Sequence, residues 1–180
     1  MDLIEGIKTR RSIRAFEDKE VSKEMIEDIV SVATYAPSWK NSQSTRYFVV
    51  TDKEKKEKVA NECIMGHEGN KKNIDGAPML VVVATVNKRA GYERDGSLST
   101  TKGTHWQSFD AGIATQTFCL AAHEKGLGTV IMGIYDEAEV VRVLGIPEEM
   151  SVSALIAIGY PAINPEAPKR KEVEQLVNYI

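Results

Sequence analysis

Residues 79–86 read MLVVVATV. Apart from Thr85 every side chain is apolar, and four are valine. A short run of this kind, rich in β-branched residues and apolar at consecutive positions, reads as a strand covered on both faces. Further strands are expected at 46–50 (RYFVV), 129–133 (TVIMG) and 151–160 (SVSALIAIGY). Helical spacing falls between them. Asp2 can cap a short helix that buries Leu3, Ile4 and Ile7 on one side. Ser22 caps a stronger one, with Met25, Ile26, Ile29, Val30 and Ala33 as its apolar face and Pro37 as its stop. The charged run DKEKKEKVANEC (52–63) reads as a surface helix. A long helix is expected from Trp106 to Lys125. It shows Phe109, Ile113, Thr117 and Leu120, with Ala111, Ala114, Ala121 and Ala122 permitting close packing, and Gly126 as its left-handed terminator. Asp136 and Glu139 have capping-box spacing and open a helix that ends at Gly145. Helices and strands are interspersed without strict alternation. That pattern predicts an α+β sandwich around a central sheet rather than a doubly wound parallel fold.

No repeat or linker divides the chain, so residues 1–180 are expected to form a single domain. The 180 residues carry a formal charge of −3, and 42% are hydrophobic. The slight acidity argues against a nucleic-acid partner. No apolar stretch approaches the roughly 20 residues that span a bilayer, so no membrane role is expected. The start, MDLIEGIKTRR, lacks the features of a secretory signal. Cys63 and Cys119 are far apart, and reduced thiols in the cytoplasm are the economical expectation. Residues 87–104 contain Gly91, Gly96 and Gly103 among polar residues and read as a long loop with the character of a lid.

Several catalytic signatures are excluded. GLGTVI (126–131) lacks the third glycine of a dinucleotide fingerprint and runs from helix to strand rather than strand to helix. No Walker loop and no nucleophile elbow are present. His67, His105 and His123 have no partners at metal-ligand spacing, so no metal is expected. Both cysteines read as core residues.

Two constellations remain. KTRRSIRAF (8–16) places Arg10, Arg11 and Arg14 around Ser12, between the apolar anchors Ile7 and Phe16, and a second basic group, Lys169-Arg170-Lys171, lies near the other terminus. A solvated basic turn would account for this charge. So would a phosphate site, because the guanidinium fork matches phosphate oxygens. YAPSWKNSQSTRYF (35–48) joins a helix end to a strand through Pro37, Ser38, Asn41 and Gln43. It reads as a polar turn, or as amides set against the edge of a heteroaromatic ring. Together the two suggest a ligand with a phosphate at one end and a nitrogenous ring at the other.

The chain resembles the nitroreductase family. The landmarks are RRSIRAF, APSWKNSQ, FDAGIATQTFCLAAHEKGLGTVIMGIYD, VVRVLGIPEEM, ALIAIGYP and PKRKEVEQLV, and their order spans nearly the whole sequence. The resemblance implies a nitroreductase-like α+β fold. Its sheet would be mostly antiparallel and sandwiched by helices, in an intertwined homodimer with FMN at the subunit interface. Arg10, Arg11, Ser12 and Arg14 resemble the residues that grip the phosphate and ribityl chain. Pro37, Ser38, Trp39, Asn41 and Gln43 resemble the loop that reaches the flavin, commonly from the partner subunit. Met132, Gly133 and Ile134 match the turn that offers backbone N–H groups to the ring. Arg170, with Lys169, resembles the C-terminal phosphate contact, and Lys71 and Lys72 lie near the flavin. FMN would carry the chemistry, so no side chain is expected to be catalytic. The implied activity is a ping-pong transfer of electrons from NAD(P)H to nitroaromatics, quinones or similar acceptors. Dehalogenation, flavin cleavage and flavin storage are the alternatives on the same fold. Two departures bear on the acceptor. Ser44 and Thr45 stand where the family often has Pro-Trp, and Trp39 replaces a smaller residue.

Overall fold

The computed structural model describes residues 2–180. The predicted central strand is there, as β2 (Met79–Val86). It lies between β1 (Thr45–Val50) and β4 (Met150–Gly159), and β3 (Gly128–Met132) pairs with β4, giving the order β1-β2-β4-β3. All three pairings are antiparallel. Alternate side chains of a strand point to opposite faces. Leu80 and Val82 accordingly join one core cluster with Val59, Ile64, Ile74 and Val140. Val81 and Val83 join another with Ile26, Ile29 and Phe118. Helices α2 (Lys23–Ala33) and α5 (His105–Glu124) cover the second face. The chain from α3 (Lys53–Lys58) through α4 (Glu68–Gly76), together with α6 (Glu137–Leu144), covers the first. The expected α+β sandwich is therefore the observed one.

Some expectations need correction. Helix 52–63 is not uniform. It is α-helical only to Lys58, and Val59–Cys63 forms a wider π turn. Helix α4 was not anticipated, because its cap is an unusual one: His67 Nδ1 accepts from the Asn70 N–H at 3.0 Å. Asp136 caps α6 by accepting from the Glu139 N–H at 3.2 Å, but the return half of the capping box is absent. The Asp136 N–H donates to the Cys63 carbonyl, and the Glu139 carboxylate is held by Arg142 at 2.7 Å. Helix α1 (Leu3–Thr9) is capped by Asp2 as expected, yet Leu3, Ile4 and Ile7 are exposed, Leu3 by 70%. In α5 the apolar part of the buried face is Ala111, Ala114, Phe118, Cys119, Ala121 and Ala122. The Phe109, Ile113, Thr117 and Leu120 stripe lies beside it, and Phe109 is 59% exposed. The polar Gln107, Asp110 and Thr115 are buried on that same side, so the hydrophobic period could not show which side meets the sheet.

Between α1 and α2 the chain crosses the edge of the sheet at β3. The Ile13 N–H donates to the Thr129 carbonyl at 2.9 Å, and Ser12 forms an isolated parallel bridge with Thr129. The Glu17 N–H then donates to the Tyr160 carbonyl, while the Ala162 N–H donates to the Ala15 carbonyl. The crossing depends on Gly128. A Cβ there would lie 2.5 Å from Ile13 Cγ1, inside any permitted contact. Gly126 has φ +78 and terminates α5 in the left-handed region. The GLG at 126–128 is thus one helix terminator and one point of close approach. Gly128→Ala is expected to destabilise the fold by about 1–3 kcal/mol, since the added methyl overpacks a buried contact. Denaturant unfolding checks this, and an unchanged midpoint would contradict it.

Candidate functional site

The crossing segment brings the first predicted group together. Arg10, Arg11, Ser12, Arg14 and Arg170 line one cavity of about 160 Å³. Glu166 adds a carboxylate to the lining, so four guanidinium groups meet one acidic group there. The Arg11 Nη1 donates to the Lys8 carbonyl at 2.7 Å and to the Arg10 carbonyl at 2.9 Å, and the Arg14 Nη1 donates to the Ser12 carbonyl at 3.4 Å. Arg10 Nε is buried without a hydrogen-bond partner. A buried donor in that state costs free energy unless an acceptor reaches it. Lys169 does not line this cavity and is exposed.

A neighbouring cavity of about 410 Å³ shares Arg10 and Arg11 and adds Thr9, His123 and the 126–129 turn. The Thr9 hydroxyl and His123 Nε2 lie 3.0 Å apart. Burial pushes His123 below its ordinary value, and Arg10 and Arg11 push the same way against Glu124. A neutral imidazole is therefore favoured, and the cationic surplus is arginine.

Strand β3 leads away from this cavity. Thr129 turns its carbonyl outward to meet Ile13, and alternate residues of a strand point the same way. Ile131 and Gly133 therefore face the open edge, which no strand covers among the described residues. From Thr129 to Gly133 an extended chain advances about 14 Å. Gly133 and Ile134 are exposed, while Met132 points into the core. The turn is pinned from α4 by the buried Asn70, whose Nδ2 donates to the Ile134 carbonyl at 3.0 Å. On the same helix Lys71 is paired with Asp75 at 2.7 Å, and Lys72 is exposed.

The second predicted group sits elsewhere. It precedes β1, the strand at the far side of the sheet from β3. Three strand spacings of about 4.8 Å separate the two edges by roughly 14 Å. Within one chain the two predicted groups therefore lie at opposite edges of the sheet. Pro37, Ser38 and Gln43 line an apolar cavity of about 540 Å³ beside Tyr47 and Asp110, and Asn41 is exposed. Lys40, Asn41 and Gln43 all have left-handed backbones, with φ of 45, 54 and 46. Non-glycine residues held there store strain and need support. Asp110, only 2% exposed, supplies it. Its Oδ2 accepts from the Trp39 N–H at 2.8 Å and from the Ser42 hydroxyl at 3.5 Å. The Gln43 N–H donates to Ser38 Oγ at 3.0 Å. The Trp39 ring packs on Trp106 at 4.8 Å, and Trp106 meets Phe109 edge-on at 5.4 Å. Asp110 and Asn70 were absent from the sequence-level set. A lone acid within the apolar FDAGIA run was the available signal for Asp110.

Among the described residues no cluster of metal-ligating side chains forms, and no helix is long and apolar enough to cross a membrane. Cys63 and Cys119 are free and buried, and burial pushes the Cys63 thiol up to about 11.

The sequence pattern of the nitroreductase family matches residues 7–68 and 65–160. The chain belongs to the nitroreductase family. A Methanothermobacter thermautotrophicus relative, named for NADH dehydrogenase or NAD(P)H nitroreductase activity, is 37% identical over 92% of this chain and 80% of its own. The Bacillus subtilis FMN reductase [NAD(P)H] is 29% identical over 99% of this chain and 73% of its own. Among solved nitroreductase-fold structures, the Vibrio harveyi NADPH:FMN oxidoreductase complexed with NAD+ superposes with a TM-score of 0.81. It is 28% identical and covers 98% of this chain and 76% of its own.

Asp110 gives this nitroreductase-family site a pH signature. Burial pushes its carboxyl above the ordinary value, against the hydrogen bonds from Trp39 and Ser42. The folded chain then holds that proton more tightly than the unfolded chain. Stability from this group is present below the ordinary carboxylate range and is lost as pH rises through it. Asp110→Asn, which keeps a carbonyl acceptor and never ionises, is expected to gain stability relative to the parent as pH rises through and above the ordinary carboxylate range. Asp110→Ala, which leaves the Trp39 N–H unmatched, is expected to lose about 1–3 kcal/mol. Unfolding titrations at several pH values check both, and a pH-independent Asn-to-parent difference would contradict the account.

Proposed function

We propose that this chain is an FMN-dependent NAD(P)H oxidoreductase that acts as a homodimer. One observation carries the reading: guanidinium groups from both ends of the chain line one small cavity at the start of an open strand edge, and Arg10, one of that lining, has a buried Nε without a partner. The donor set fits a phosphate dianion. The edge from Thr129 to Gly133 offers outward backbone groups over a length suited to a nucleotide. FMN, when bound, supplies hydride acceptance and delivery.

The protein's part is binding and orientation. Arg10, Arg11, Arg14 and Arg170 hold the phosphate, and Ser12 adds a hydroxyl beside it. The outward N–H of Gly133, fixed in place through Asn70 and Ile134, meets the ring edge. Met132 anchors that turn from the core side. The loop carrying Pro37, Ser38, Trp39, Asn41 and Gln43 completes the site from the second subunit, because it lies at the wrong edge to do so in its own. Lys169, exposed beside Arg170, adds only diffuse positive charge. The dimer also accounts for the apolar surface on α1 and α5, and for Val173, Leu176 and Val177 of the tail. Donor and acceptor take turns in one open slot, with nitroaromatics and quinones as the acceptor class. Two free thiols suit a reducing cytoplasm.

The purified protein is expected to be yellow, and anaerobic NADH or NADPH is expected to bleach it. A flavin that stays oxidised with both donors would leave a storage protein. Arg10→Ala combined with Arg14→Ala is expected to lower retained flavin at least about tenfold, since each charge-assisted contact contributes about 1.5–3 kcal/mol. Unchanged flavin content would overturn the phosphate assignment.

A further inference from the structure

A cavity of about 980 Å³ touches the groups above only through Trp39. It is a cleft between the 39–46 segment and the 88–96 stretch of the long loop. Lys40, Arg46, Lys88, Arg89 and Arg94 line it, against Glu93 and Asp95. Five cations less two anions leave a net charge of +3 in an acidic protein. Lys40 pairs with Glu93 at 2.8 Å, but no ion pair holds Lys88, Arg89 or Arg94 among the described residues. Two further donors in the lining lack partners. Ser44 Oγ is buried and unmatched in a residue only 2% exposed, and Trp39 Nε1 is likewise buried and unmatched. Unpaired cations and unmatched donors carried by residues of one lining call for an anionic acceptor. Trp39 and Tyr92 add aromatic faces to the same walls.

We infer that this cleft binds the phosphate groups of the nicotinamide dinucleotide donor. The inference rests on the proposed function, which puts Trp39 beside the flavin of the partner subunit. A donor whose nicotinamide lies over that flavin then has its phosphates next to the cleft, with Trp39 between the two. Ser44 contributes here through the feature that departs from the family pattern, since a proline in its place would supply no hydroxyl. The shared chemistry is phosphate recognition, and two sources are distinguishable: the diphosphate common to both donors, and the 2′-phosphate that only NADPH carries.

Arg89→Gln, Arg94→Gln and the double variant, loaded with FMN, are to be assayed with NADPH and with NADH at low and high salt. The double variant is expected to raise KM for NADPH about tenfold or more, with flavin content and kcat at saturating donor retained. The parent's KM for NADPH is expected to rise with salt more steeply than the variant's. An equal rise for both donors assigns the diphosphate, and a rise for NADPH alone assigns the 2′-phosphate. Unchanged KM for both donors in a yellow, reducible double variant overturns this inference and leaves the proposed function intact. A changed KM for a carboxylated acceptor, with both donors unaffected, also overturns it. A parent protein that binds no FMN fails the underlying reading instead.

Discussion

A segment bearing three arginines is pressed against the edge of β3 because Gly128 has no side chain to keep it away. The Ile13 N–H takes the Thr129 carbonyl, and the Ile13 side chain occupies the space a Cβ would need. Arginines on a free arm would spend large side-chain entropy to converge on one ligand. Here the backbone is fixed first, by hydrogen bonds on either side of Arg14. Arg170 then joins the same cavity from the distant C-terminal stretch. The charge cluster is thus a consequence of sheet geometry as much as of sequence.

The same sheet separates the two halves of the proposed site. Strand order β1-β2-β4-β3 puts the arginines at one edge and the strained 37–44 loop at the other. The two lie at opposite edges of one protomer's sheet, and the proposed homodimer would bring them together while covering Leu3, Ile4 and Ile7 of α1 and Phe109 of α5. Asp110 belongs to this economy. It tolerates burial so that three left-handed residues and a tryptophan keep one arrangement. The long loop is tied to the same structure through Lys40–Glu93 and through the Trp106 Nε1 bond to Thr100.

Much of the fold was legible because its signals are local. β2 needed only its run of valines, α2 its Ser22 cap and apolar face, and α6 its Asp136 cap and Gly145 terminator. The illegible parts depend on tertiary contacts or on rare local chemistry. A histidine cap hid α4, and a change in helical pitch divided the 52–63 segment. The small residues of α5 left two candidate faces, and only the sheet selected between them. At the site, Arg10, Arg11, Ser12, Arg14 and Arg170 could be grouped because charge stands out in an acidic chain. Asp110 and Asn70 act through backbone groups of residues far away in sequence, which no spacing rule encodes.

The central claim is that the arginine cavity grips a phosphate. Stripped of flavin, the protein should be titrated in parallel with FMN and with riboflavin, which differ by that phosphate alone. The account predicts that FMN binds at least about a hundredfold more tightly, as two or more charge-assisted contacts require, and that the preference shrinks with salt. Equal affinity for the two flavins would contradict it.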